Sequence, residues 1–146
     1  MDGADADLDI FGLKIRVVGR QFPDADDFWD GNWLQVEVHM KANGAEVTVQ
    51  GPILRSDEIA TFLIGLEVMN RELSGKAELL CMEPNLNISI AFEGSLGSIR
   101  GIVEITPEFS NQFHRFQVGG NPSDLPKLIT ECRRVLSRFP VVGRPG

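Results

Sequence analysis

Side chains capable of chemistry are few in this sequence, and they concentrate in one stretch, Phe22-Pro23-Asp24-Ala25-Asp26-Asp27-Phe28-Trp29-Asp30-Gly31-Asn32-Trp33-Leu34. Four aspartates and both tryptophans of the chain lie here. Such acids could hold a cation, because Asp26, Asp30, Gly31 and Glu37 fall at positions 1, 5, 6 and 12 of a calcium-loop template. Position 3 is Phe28, which offers no side-chain oxygen, and the residues after Gly31 alternate as a strand where the template needs a helix. Paired carboxylates for acid–base work could also be drawn from Asp24, Asp26, Asp27 and Asp30, but aspartates close together in a loop are ordinarily just solvated. The two histidines, His39 and His114, have no serine or cysteine at a motif spacing and match no metal signature. Gly97-Ser98-Ile99-Arg100-Gly101 has the glycines of a phosphate loop but lies within a strand pattern. No set of nucleophile, base and orienting group emerges. The expectation is therefore a protein that is not an enzyme, with no catalytic residue, no metal and no cofactor.

The tryptophans admit a different use. Trp33 shares strand parity with Gln35 and Glu37, which turns it toward solvent as an aromatic among acids, the kind of residue that anchors an interface. A bulge at Gly31-Asn32 would flip it into the core, where a tryptophan buries a large area. Both readings stand on the sequence, structural anchor or partner contact. The candidate partner-binding residues are Asp27, Trp29, Asp30, Trp33 and Glu37.

The elements that must position this stretch follow from periodicity. Phe11, Leu13, Ile15 and Val17 alternate with polar residues and predict a half-buried strand. Leu34 to Met40 predicts a second, and Asn43-Gly44 a tight hairpin into a third that ends at Gly51-Pro52. Ser56-Asp57-Glu58 begins a helix, with the Ser56 hydroxyl as cap and Ile59, Phe62, Leu63, Leu66, Met69 and Leu73 along one face, and Ser74-Gly75 stops it. Strands follow near Ala77–Met82, over Leu86–Phe92, after a turn at Gly94 to Gly97 over Ile99–Ile105, and near Gln112–Val118. A second capped helix runs from Ser123 to Pro140, with Pro126 tolerated in its first turn. The two helical stripes superpose at an offset of 66 residues, Ile59 on Leu125 and Leu66 on Cys132 among them. The fold class is α+β: a mainly antiparallel sheet of six to seven strands with two amphipathic helices on one face, which can also be divided into two halves that each run strands then helix. The opposite face is broad, flat and of mixed charge, which suits protein partners.

Length and charge set the outer limits. A chain of 146 residues makes one domain, large enough to bury about two thirds of its extended surface. We read residues 1–8 as an acidic tail, 9–142 as the domain and 143–146 as a short tail. Net charge is −7, with eight aspartates in residues 1–30 and no acid after Glu131. This balance argues against direct nucleic-acid binding, which needs cations, and favours a basic protein partner. Spacing leaves a disulfide between Cys81 and Cys132 open, with free thiols in a reducing compartment the favoured reading. Met1 to Asp7 lacks the basic start and apolar core of a signal peptide, and no run reaches the ~20 apolar residues of a membrane span. The expected location is the cytoplasm, away from membranes.

The string Asp27-Phe28-Trp29-Asp30-Gly31-Asn32-Trp33-Leu34, a β-rich body and a final helix closing on Phe139-Pro140-Val141-Val142 together resemble the WapI-type family of small bacterial immunity proteins. The string is the specific part; the match to about Val142 is otherwise one of pattern, and residues 1–8 fall outside it. The resemblance implies a non-catalytic cytoplasmic inhibitor that binds and neutralises a cognate contact-dependent toxin domain, such as a basic nuclease. The alternatives are a structural domain or homodimer that uses a bare sheet face or edge strand, and, behind it, a small-molecule binder or enzyme.

Overall fold

The structure, a computed structural model, describes residues 5–94 and 97–146. The chain forms two antiparallel four-stranded meanders, each followed by a helix. In the first half β1 (Leu8–Ile10), β2 (Leu13–Arg20), β3 (Trp33–Ala42) and β4 (Ala45–Arg55) pair in sequence order, with a one-turn helix α1 (Phe28–Gly31) between β2 and β3. Helix α2 (Ser56–Glu72) leads to β5 (Lys76–Leu80), β6 (Leu86–Phe92), β7 (Ile99–Ile105) and β8 (Arg115–Gly120), and α3 (Leu125–Arg138) closes the fold. The α+β class and the strands-then-helix halves agree with the sequence reading. The single sheet of six to seven strands does not: the described residues form two sheets with eight strands, and a third, short helix is present. The reason lies in the connection. A 17-residue helix between β4 and β5 carries the chain away from the first sheet, so β5 starts a new ladder with β6.

Each helix belongs to both halves. Helix α2 lies on β5 of the second sheet as well as against α3, and α3 packs on β1 of the first. Backbone Asp9 N–H donates to Glu131 on α3 at 3.1 Å, and Arg138 pairs with Asp7 at 3.1 Å. The inward residues of both sheets and of both helices therefore form one continuous core, in which Ile59, Phe62, Leu66 and Met69 meet Leu125, Leu128, Cys132 and Val135. Those pairs preserve the 66-residue offset. Leu73 breaks it: the residue is exposed, with φ 53°, and caps α2 in the left-handed region.

Several boundaries shift for local reasons. Phe11, expected within a strand, makes with Gly12 the two-residue turn of the β1–β2 hairpin, both at positive φ, and Gly12 N–H donates to Asp9 at 2.9 Å. Of the acidic tail expected over 1–8, the first four positions lie outside the described residues; Leu8 is fully buried in β1. The turn expected from Gly94 to Gly97 likewise includes two positions outside them. Gly51-Pro52 does not end β4. Pro52 and Ile53 stand opposite Gln35 as a bulge, which accommodates the missing proline donor and lets the strand continue to Arg55. Ser56 does not cap α2; its hydroxyl is buried with no partner among the described residues, and Glu58 instead accepts the Arg55 N–H at 2.9 Å. Likewise α3 begins at Leu125, after a 3-10 turn over Pro122–Asp124 in which Asn121 N–H donates to Asp124 at 2.8 Å.

The seam between the halves is tight at two points. A β-carbon on Gly65 would stand 2.9 Å from that of Ala77 and 3.0 Å from its α-carbon. Gly65→Ala is expected to lower stability by about 1–2 kcal/mol in urea denaturation, the clash with backbone outweighing the gain in helix propensity. Glu58 spans the seam, accepting from Arg55 N–H and, at 2.6 Å, from Met82 N–H. Burial outweighs those two bonds and pushes its carboxyl up to about 7. Its folded pKa lies above the unfolded value, so the associated stability is fully present below about pH 4.5 and is lost as pH rises through about 7. Melting temperature should accordingly fall between pH 5 and pH 8, and Glu58→Gln should flatten that slope.

Candidate functional site

The one-turn helix α1 folds over the outer face of the first sheet at its end and closes on Arg55. Asp27 starts the turn, its carboxylate accepting the Asp30 N–H at 3.1 Å and its carbonyl the Gly31 N–H at 2.9 Å. So short a helix leaves carbonyls without intrahelical partners. Arg55 takes two of them, Nη2 donating to Phe28 O and Nη1 to Trp29 O, each at 2.7 Å, while Nε donates to Asp57 at 2.9 Å. The rings of Trp33, Phe28 and Trp29 surround the guanidinium at 4.8, 5.1 and 5.7 Å. Arg55 is fully buried. A buried cation is tolerable only when its donors are satisfied, and here a carboxylate, two carbonyls and three aromatic faces replace water.

Asn32 ties a distant segment to the same turn. Its amide Nδ2 donates to Phe28 O at 2.9 Å and to Val142 O at 3.0 Å, and its Oδ1 accepts the Val142 N–H at 2.9 Å. Arg20 reaches from β2 to Gly31 O and to Pro140 O, with its guanidinium 5.9 Å from the Phe139 ring. Gly31 must be glycine, because an added β-carbon would stand 2.5 Å from Val142 Cγ2 and 2.9 Å from Ala25 O. The aromatic string and the Phe139–Val142 tail, separated by more than a hundred residues, are thus packed against one another.

Four of the five candidate partner-binding residues, Asp27, Trp29, Asp30 and Trp33, gather around this cage. The fifth, Glu37, lies four residues further along β3, about 13 Å away by strand rise. It pairs with Arg16 at 2.6 Å, beside a separate cleft shared with Asp5, Asp7 and Arg138. Trp33 keeps the parity of Gln35 and Glu37, so no bulge at Gly31-Asn32 turns it into the core; it is half-buried because it roofs Arg55. Trp29 is 51% exposed. Sequence reasoning missed Arg55 and Asn32. An arginine between a strand and a helix has no signature, and plain alternation gives Arg55 the inward parity of Val47 and Val49; only the extra residue of the Pro52-Ile53 bulge turns it to the face of Trp33.

The remaining reactive groups are occupied or suppressed. The Cys81 thiol is pushed up by burial and by Glu58, and burial pushes Cys132 up to about 12. Both cysteines are free. His39 meets Glu46 at 2.6 Å and His114 meets Gln112 at 3.2 Å. Among the described residues no group of three His, Cys, Asp or Glu side chains is arranged to hold a metal, and no helix is long and apolar enough to cross a membrane.

Comparison with known proteins places this architecture in context. The model of the immunity protein WapI-like family matches residues 6–140, nearly the whole chain. No curated protein and no solved structure matches it.

The cage makes a sharp distinction among its members. Arg55→Met, which leaves two carbonyls and Asp57 without their donor, is expected to cost about 3 kcal/mol or more, and Arg55→Lys most of that, since an ammonium lacks the planar fork. Trp33→Ala should cost about 2 kcal/mol and Trp29→Ala about 1 kcal/mol or less, given their different burial. Urea denaturation read by circular dichroism checks all four.

Proposed function

The chain belongs to the immunity protein WapI-like family, and from that premise we propose that it protects its cell by binding a cognate contact-dependent toxin domain and holding it inactive. The family match over residues 6–140 carries this reading. Inhibition by stoichiometric binding, without catalysis, is supported by the state of the reactive groups: thiols raised by burial and histidines engaged with neighbouring side chains. We place the encounter in the cytoplasm, with no direct contact to nucleic acid or membrane. A net charge of −7 favours a basic partner by raising its encounter rate, and a nuclease domain, whose substrate is anionic, has that sign.

Co-expression with the C-terminal domain of a toxin encoded beside this chain tests the reading. Cells producing both proteins should grow, and the two should copurify at equal stoichiometry. Growth arrest with no copurified complex would remove the immunity assignment for that pair.

A further inference from the structure

The outer side of the arginine cage leaves an indole and several aspartates in solvent. Trp29 exposes 51% of its area, yet it does not swing freely. Its ring stands edge-on to Phe28 at 5.0 Å and 87°, its carbonyl is held by Arg55, and the turn beneath it is capped by Asp27. Around it lie Asp24, Asp26 and Asp30, all exposed. Elsewhere acids such as Glu37, Glu67 and Glu93 are neutralised by arginines; among the described residues these three aspartates form no ion pair. Arg20 and Arg55, which hold the carbonyls of this turn, are committed to those carbonyls, to Asp57 and to aromatic rings. Phe22, held by a turn in which Ala25 N–H donates to its carbonyl at 3.1 Å, adds an exposed ring at the edge.

We propose that this ridge, with Trp29 at its centre and Asp24, Asp26 and Asp30 around it, is the docking surface for the toxin, and that it fits a cationic protein surface containing an apolar socket for the indole. The inference rests on the immunity reading and adds the place and chemistry of contact. Charge complementarity selects the occupant: three exposed carboxylates that form no ion pair within the described residues attract a basic surface. Rigidity adds to it. An aromatic anchor already ordered by a buried arginine loses little freedom on binding, so more of its burial appears as affinity. Of the five residues first singled out, Trp29 and Asp30 touch the partner. Asp27 and Trp33 position them, and Glu37 stays with Arg16.

The probe is the purified C-terminal domain of the toxin encoded beside this chain, inactivated in its own active site, with binding followed by calorimetry and stopped-flow fluorescence. Trp29→Ala should weaken binding by about 30-fold or more, and Trp29→Phe should recover part of it. Combined Asp24→Asn, Asp26→Asn and Asp30→Asn should slow association by about tenfold at low salt and flatten its salt dependence, with the melting temperature preserved. Phe113→Ala, at a still more exposed aromatic on the loop before β8, should leave binding unchanged. Wild-type binding with undiminished affinity and rate in the ridge variants would overturn the ridge while leaving the immunity reading intact. Failure of the wild type to bind would bring down both.

Discussion

A guanidinium with no access to water is the constraint on which this molecule turns. Arg55 ends β4 and immediately precedes α2, so its position is dictated by the first sheet and by the helix that links the halves. Left bare, it would carry the desolvation cost of a buried ion. The chain meets that demand with the string between β2 and β3: a helical turn too short to satisfy its own carbonyls, and three aromatic rings whose faces attract a cation. The aspartate at the start of the string caps the turn; the glycine admits the tail; the asparagine binds it. The unusual composition of residues 27–33 is explained by what surrounds one arginine.

This arrangement links stability to recognition. The cage joins β3, β4, the start of α2 and the tail after α3, so its integrity depends on both halves being assembled. Glu58, one turn into α2, extends the same connection to the second sheet through Met82. The exposed face of α1 is consequently anchored to the core beneath it by Arg55 and by the cap from Asp27. In the proposed complex the tryptophan and the acids on that face meet the toxin, while the residues behind them hold it in place.

The elements themselves were largely legible. Periods of two and of 3.6 identified seven of the eight strands and the apolar faces of α2 and α3, because those patterns are imposed by burial on one side; β1, three residues long, is too short to show a period and was missed. Boundaries failed where a local device overrode the pattern. Phe11 adopts positive φ in a hairpin, Pro52 is absorbed in a bulge, and Asp124 rather than Ser123 closes the turn before α3. The number of sheets was not legible either, since alternation reports that a strand has one wet face and says nothing about which strand lies beside it.

The candidate site divides in the same way. Residue types alone marked the aspartates and tryptophans as the densest chemistry in the chain, excluded a calcium loop through Phe28, and set the outward parity of Trp33. They could not show that Trp33 and Phe28 cover an arginine more than twenty residues away, that Asn32 grips Val142, or that Glu37 belongs to a different pair. Those relations depend on strand register and on the docking of α3 and its tail, which arise only when distant segments pack. Local sequence sets what each side chain can do; which neighbour it does it with is decided by the long-range contacts that close the core.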